Sequence, residues 1–202
     1  MKKEKYYLDR HKFQSGDKVL FRAYKWYVTA AIWICSILKL SSIGFFHIGM
    51  IIVREGRVLV IESALYKKQL CVQINAFSDV LRDYKGQVCV RHLICNRDDK
   101  FCKILDDTTV ELRGKPYEKD FDELIGSVIP IIHNIFGHKP DLSSIFCYEL
   151  VAEYDKRLGY LPADIPSNEY GPGDYDFGKR VDKLFSMNSE PVCMSNLIEM
   201  KR

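Results

Sequence analysis

The alternation of apolar and polar residues predicts strands in the first half of the chain. The segment SGDKVLFRAY (15–24) predicts a turn at Gly16 and Asp17 that leads into a short strand. The segment GFFHIGMIIVREGRVLVIESAL (44–65) predicts a hairpin, because two β-rich runs flank REGR and Gly56 suits a tight turn. A strand-rich N-terminal half is therefore expected.

Helical periodicity is strongest in three other segments. Residues 26–39 predict a helix with few polar positions, and residues 119–137 predict a helix kinked at Pro130. Residues 141–159 predict a further helix that ends at Gly159. Its N-terminal cap is expected at one of three residues: Asp141, Ser143 or Ser144.

The remaining segments predict shorter elements. Residues 75–94 predict a short helix after Ser78 and a strand from Gln87 to Leu93, whereas the polar residues 96–103 predict a loop. Strands followed by helices, without alternation of the two, favour an α+β domain with an antiparallel sheet. We expect this domain to span residues 1–170, and residues 171–202 to wrap its surface or to be loosely ordered.

Composition excludes several classes of protein. The chain has 202 residues, of which 47% are hydrophobic, and a net charge of only +3, so one globular domain without nucleic-acid affinity is expected. Its seven cysteines are odd in number and form no C-x-x-C pair, which argues against a zinc knuckle or a disulfide framework. Reduced thiols fit a cytosol-like compartment, and we expect no metal or cofactor.

The apolar segment 26–53 raises the question of membrane contact. Its longest apolar run, residues 27–38, has 12 residues and stops at Lys39, whereas a membrane span needs about 20. A buried or interfacial helix is therefore favoured. Peripheral membrane contact through residues 27–38, together with the polar and basic residues 1–12, remains an additional hypothesis.

Cys147 is a candidate catalytic residue. It is predicted near the start of a helix, where unpaired N–H groups and the helix dipole stabilise a thiolate. A small buried hydrophobic role is the alternative, because cysteine often packs in cores.

His47 and Glu62 interrupt apolar strands of the predicted hairpin. If Arg54 pairs with Arg57, Gly49 lies opposite Glu62, and His47 is its diagonal neighbour on the same face. A carboxylate there would hold the imidazole in one tautomer, as in a nucleophile–base–orienter set. Gly49 would leave space beside the histidine for a nucleophile or substrate. The alternative is a structural histidine paired with a neighbouring acid.

Six segments in sequence order resemble the circularly permuted NlpC-type branch of the papain-like hydrolases. They are GDKVLF, the apolar helix, FHIGMII, VLVIESA, GKPYEKDF and CYELV, and the resemblance covers roughly residues 13–168. That branch includes bacterial lipoprotein-like hydrolases and a poxvirus protein. It implies a permuted papain-like fold with the order His, Glu, Cys. Because residues 1–12 are polar and charged, unlike a signal peptide, and no membrane span is predicted, we expect a location in the cytoplasm, the host cytoplasm or a virion.

The resemblance assigns roles to individual residues. It implies that Cys147 is the nucleophile, His47 the base and Glu62 the orienting acid. Four further residues are candidates for substrate binding or the oxyanion site: Asp17, Gly49, Tyr117 and Tyr148. Two departures from the family are a tyrosine at 148, where serine is common, and a tail after about residue 170 without a counterpart.

The resemblance implies hydrolysis or transfer of an acyl group. The expected substrates are amides, peptides or lipid-acyl groups, and the mechanism passes through a thioacyl intermediate. A non-catalytic module that binds a lipid or peptide in the same groove is the alternative. For Asp17 a turn role is favoured, and for Tyr117 packing on its helix. Three further histidines lack partners at metal-ligand spacing and are expected to have a structural or surface role: His92, His133 and His138.

Overall fold

A seven-stranded sheet forms the centre of the computed structural model, which describes residues 2–22, 45, 47–66, 69–116, 146–188 and 192–201. Its strands are Lys2–Lys5 (β1), Lys18–Arg22 (β2), His47–Arg54 (β3), Arg57–Tyr66 (β4), Gln69–Ala76 (β5), Gln87–Arg91 (β6) and Ile198–Lys201 (β9), while Leu93–Ile94 (β7) and Cys193–Met194 (β8) form a separate small pair. The strands of the sheet run in the order β1-β9-β6-β2-β3-β4-β5, and every pair is antiparallel except β1 and β9.

The helices lie between and after these strands. They are Tyr6–Asp9 (α1), Phe77–Asp83 (α2), Asp99–Leu112 (α3), Cys147–Arg157 (α4) and Arg180–Phe185 (α5), together with short 3₁₀ turns at Arg10–Lys12, Ser167–Glu169 and Pro172–Tyr175. The expected α+β architecture, an antiparallel sheet packed against helices, is confirmed.

The predicted hairpin is also confirmed. Arg54 pairs with Arg57, and both central residues of the turn have positive φ, 51° at Glu55 and 71° at Gly56. These values fit the two-residue turns whose twist matches that of the flanking strands. The turn thereby sets the register of β3 against β4 along their whole paired length.

Apolar side chains cover both faces of the sheet. One face packs a core that includes Leu20, Met50 and Ile61 against α4, and the other packs Val19, Ile51 and Val60 against α2. Burial on both faces explains why the central strands contain nearly continuous apolar runs rather than a strict alternation.

The predicted loop at 96–103 is wrong, because α3 begins there. Asp98 caps this helix by accepting a 2.8 Å hydrogen bond from the backbone N–H of Phe101. Phe101, Leu105 and Leu112 are buried along its inner face. The polar run that predicted a loop is therefore the cap and exposed first turn of an amphipathic helix.

The described part of the segment after residue 170 belongs to the core. Its strand β9 pairs with both β1 and β6, and the fully buried guanidinium of Arg91 binds it at four points. Arg91 donates hydrogen bonds to the carboxylate of Asp182 and to the carbonyl oxygens of three residues: Tyr175, Met194 and Ser195. The expectation of a loosely ordered tail is therefore not supported, and the division of the chain at residue 170 stays a prediction.

The predicted helices at 26–39 and 119–137 lie outside the described residues. Within the described ranges, no helix has both the length and the apolar character needed to cross a membrane.

We expect Phe185→Ala to lower the free energy of unfolding by about 3–5 kcal/mol, because it removes a fully buried ring from the core. Urea denaturation followed by circular dichroism measures this loss. Met187→Ala, two residues away and 79% exposed, is the matched control, with a change within about 0.5 kcal/mol. Equal, small effects of the two substitutions would contradict the integration of this segment into the core.

Candidate active site

Cys147 is the first residue of α4. The N-cap is Phe146, whose backbone N–H donates a 2.8 Å hydrogen bond to the side chain of Glu149. The expected cap residues, 141–144, lie outside the described residues. Cys147 is 4% exposed, and it stands where a helix leaves its N–H groups without intrahelical partners.

The C-terminal end of α4 follows the sequence prediction. Gly159 has a φ of 79° and donates its N–H to the carbonyl of Lys156, while Tyr160 donates to the carbonyl of Asp155. This pair of bonds is a Schellman motif, which favours glycine at the left-handed position. The helix is therefore closed at both ends by its own sequence.

His47 and Glu62 form the predicted cross-strand pair. His47 Nε2 lies 2.9 Å from Glu62 Oε2, and the two side chains are 15% and 5% exposed. The ring of His47 also packs against that of Phe21, with centroids 4.9 Å apart. One edge of the imidazole is thus held by a carboxylate, and its orientation is set by an aromatic neighbour.

Asn75 is a member of this group that sequence reasoning did not identify. It lies on β5 and donates a 3.3 Å hydrogen bond from Nδ2 to Glu62 Oε1. The two oxygens of Glu62 therefore have different partners, His47 and Asn75. The alternating polar residues Gln73 and Asn75 in the run QLCVQINA were the available signal, because they share one face of a strand.

The third partner of His47 is Cys147. Burial by itself lowers the pKa of His47, but the negative charge of Cys147, a hydrogen bond to Cys147 and the bond to Glu62 together raise it to about 10. Since Nε2 faces Glu62, Nδ1 is the nitrogen left for the thiol. The geometry thus favours a protonated His47 at neutral pH, placed between the sulfur of Cys147 and the carboxyl group of Glu62.

The raised pKa links this group to stability. A histidine pKa above the unfolded value of 6.5 means that protonated His47 stabilises the fold fully below pH 6.5. That contribution is lost as the pH rises through about 10. The site is therefore built for the charged form of the imidazole across the neutral range.

The sequence predicts that Gly49 leaves space for a nucleophile or substrate, but atoms of β4 lie close to this position. A Cβ atom at this position would lie 2.9 Å from Val60 Cγ2, 3.0 Å from the carbonyl oxygen of Ile61 and 3.4 Å from the Cβ of Glu62. The missing side chain therefore allows β4 to approach β3 closely beside the histidine. Its role is to position Glu62 against His47 rather than to open a cavity.

Asp17 lies away from His47. Its carbonyl accepts from the N–H of Ile51, which is four residues along β3 from His47 and so about 13 Å away. The buried carboxylate accepts hydrogen bonds from the N–H groups of Gln14 and Leu93 and lies 2.7 Å from His92 Nδ1. This arrangement agrees with a turn role for Asp17 and a structural role for His92.

The two tyrosine candidates have different outcomes. Tyr148 is 6% exposed and its ring stacks on that of Phe146, with centroids 5.4 Å apart, as part of the core beside Cys147. Tyr117 lies outside the described residues. Among the residues that the structure describes, no group of three or more His, Cys, Asp or Glu side chains is placed to hold a metal ion.

No protein-family model matches the sequence, and no curated protein matches it either. The chain is similar in structure to a protein described as "metalloprotein yiiX from Escherichia coli O157:H7, DUF1105". The sequence identity is 19% and the TM-score 0.49, over 72% of this chain and 67% of that chain. The function of this protein is therefore argued from its own residues.

We expect Gly49→Ala to lower the free energy of unfolding by about 1–3 kcal/mol, because the added methyl group would overpack the contact between β3 and β4. Chemical denaturation measures this loss. Gly171→Ala is the control, since its nearest neighbour would be 3.7 Å away and its φ of −123° suits any residue. A stability change at Gly49 as small as at Gly171 would contradict the close approach of the strands.

We expect NMR titration of the His47 ring to give a pKa near 10 in the wild type and a much lower value in Cys147→Ser. The substitution removes the effect of Cys147, which together with Glu62 offsets the effect of burial on the pKa of His47, so burial then dominates. Cys102→Ser, at an exposed cysteine, is the control and should leave the titration unchanged. Identical titration curves for the wild type and Cys147→Ser would refute the pairing of thiol and imidazole.

Proposed function

We propose that the protein is a thiol hydrolase or acyltransferase that acts on an amide, peptide or lipid-acyl bond. Cys147 is the nucleophile, His47 the general base and acid, and Glu62 the residue that orients His47. The observation that carries the proposal is the position of His47, which contacts a carboxylate on one side and a cysteine at a helix N-terminus on the other.

The proposed reaction has two steps, with all groups supplied by these residues, the substrate and water. The thiolate of Cys147 attacks the acyl carbon, forming a carbon–sulfur bond, while protonated His47 gives its proton to the departing amine or alcohol. Neutral His47 then takes a proton from water or another acceptor. That acceptor attacks the thioacyl group and releases the acyl product, which restores the thiolate–imidazolium pair.

The start of α4 supports stabilisation of the oxyanion. The backbone N–H of Cys147 belongs to the first turn of the helix, where the aligned peptide dipoles favour a developing negative charge. The same field favours the thiolate before attack. One structural feature thus assists both the nucleophile and the intermediate that it forms.

We also propose that the fold is a permuted papain-like fold of the NlpC type. A permuted papain-like arrangement of the NlpC type requires histidine and acid on successive strands and the cysteine on a later helix. His47 on β3, Glu62 on β4 and Cys147 on α4 are arranged in that order. This order supports the resemblance that the sequence motifs indicate.

We expect Cys147 to be alkylated by iodoacetamide at pH 6 much faster than Cys102 or Cys193, although these two are exposed and Cys147 is buried. The proposed contact with protonated His47 favours attack by the sulfur of Cys147 at a pH where ordinary thiols, with a pKa of about 8.5, react slowly. Mass spectrometry of each cysteine gives the rates. His47→Ala should remove the difference, and Glu62→Gln should reduce it.

Substitutions at Cys147 and His47 distinguish a catalytic role from a binding role. A panel of p-nitrophenyl esters of increasing acyl length and of peptide amides, quenched with acid, should yield a thioacyl adduct on Cys147. Cys147→Ala should abolish turnover, and the double variant with His47→Ala should be no worse than either single one. A reactive Cys147 that forms no adduct and turns over no acyl substrate would instead favour a module that binds a lipid or peptide.

A further inference from the structure

A fully buried ion pair connects the helix of Cys147 to the sheet. Lys18 Nζ on β2 lies 2.7 Å from Asp155 Oδ1 on α4, and both side chains are 0% exposed. Tyr175 donates a 2.9 Å hydrogen bond to the other carboxylate oxygen, and Lys18 Nζ lies 3.6 Å from the sulfur of Met50. Three separate parts of the chain therefore meet at Asp155.

Stability alone does not account for this group. Burial raises the pKa of Asp155, against the opposing effects of Lys18 and Tyr175, which shows that its charged form is disfavoured by its surroundings. Buried ion pairs can often be replaced by well-packed apolar side chains without loss of stability. Unlike apolar contacts, a hydrogen-bonded ion pair is directional, because its charged atoms interact well in only one arrangement.

The ion pair lies at similar distances from Cys147 along the helix and from His47 along the sheet. Asp155 is eight residues after Cys147, so the two are about 12 Å apart along α4. Met50, which pairs with Lys18, is three residues after His47, or about 10 Å along β3. Polar groups thus connect α4 to the sheet near both of its ends, Cys147 with His47 and Asp155 with Lys18. The separation of the two connections is similar on the helix and on the sheet.

The contacts between these two ends are apolar. Leu150 and Val151 of α4 pack in the core against the sheet, and such contacts are non-directional. Tyr154 makes a directional contact at 2.8 Å, but to Thr109 on α3 rather than to the sheet. In the part of the chain that the structure describes, the ion pair is therefore a directional contact that joins the C-terminal half of α4 to the sheet and resists sliding along the strands.

We infer that Lys18, Asp155 and Tyr175 are positioning residues that fix α4 along the sheet and thereby hold Cys147 against His47. The inference rests on the proposed function for its significance in catalysis. It also connects the segment after residue 170 to the site. Tyr175 donates a hydrogen bond to one carboxylate oxygen of Asp155, and Lys18 binds the other.

The test replaces the whole group with apolar side chains in the triple variant Lys18→Met, Asp155→Leu, Tyr175→Phe. No polar atom of the group is then left buried without its partner, so we expect the variant to fold, as judged by circular dichroism and thermal melting. We expect the rate of Cys147 alkylation at pH 6 to fall by about tenfold or more, because small displacements of reacting groups have large effects. The pKa of His47, measured by NMR, should move away from its raised value.

Two controls separate positioning from a general loss of stability. Val80→Ala removes buried atoms from α2, which packs on the face of the sheet opposite to α4, and should leave the thiol rate and the His47 titration at wild-type values. Tyr175→Phe should give a thiol rate between those of the wild type and the triple variant. Tyr170→Phe should match the wild type, because the buried hydroxyl of Tyr170 has no hydrogen-bond partner among the described residues. This pair decides the question if the triple variant does not fold.

The possible outcomes distinguish the inference from the proposed function. A triple variant with wild-type thiol rate and His47 titration overturns the inference, as does equality of Tyr175→Phe and Tyr170→Phe. A paired Cys147 and His47 in the wild type without any acyl turnover overturns the proposed function, while the response of the pair to the triple variant still supports positioning. A wild-type His47 that titrates near 6.5 overturns both.

Discussion

The requirement that buried charges have partners determines how the parts of this protein fit together. Removing a charged group from water is so unfavourable that a lone buried charge destabilises a fold. Lys18, Arg91 and Glu62 are buried in or beside the sheet, and each contacts an oppositely charged or titratable group from a different element. The partners of Lys18 and Arg91 are distant in sequence, so each of these two pairs restricts how a separate segment can pack.

The pairs divide the work of assembly between them. Arg91 binds the carbonyl groups and the carboxylate of the C-terminal segment, which brings β9 into position beside β6. Lys18 and Asp155 connect α4 to the sheet, and Tyr175, next to the region bound by Arg91, completes that contact. The C-terminal segment, the helix and the sheet are therefore one connected structure. A change in any of them is expected to reach the cysteine at the start of the helix.

Local signals made much of this structure predictable. The turn at Glu55 and Gly56 fixes the hairpin register, and that register alone places His47 diagonal to Glu62. The start of α3 was missed because its capping residues are polar, so composition indicated a loop where capping chemistry was present. The contact of Lys18 with Asp155 spans 137 residues of sequence, and no local pattern specifies which buried cation meets which acid. The same reason hid Asn75, whose role appears only once β5 pairs with β4.

A buried histidine beside a glutamate has a structural explanation as well as the proposed catalytic one, and the third partner is the observation that supports the proposal. A structural pair needs only two groups, and an apolar neighbour would complete its surroundings. Here the neighbour is a cysteine at a helix N-terminus, and its charge and hydrogen bond, together with Glu62, outweigh the effect of burial on the pKa of His47. Gly49 adds a second argument, since its lack of a side chain brings Glu62 close to His47. A packed core gains little from a close approach that places a carboxylate against an imidazole, whereas the proposed nucleophile depends on it, because the carboxylate orients the base.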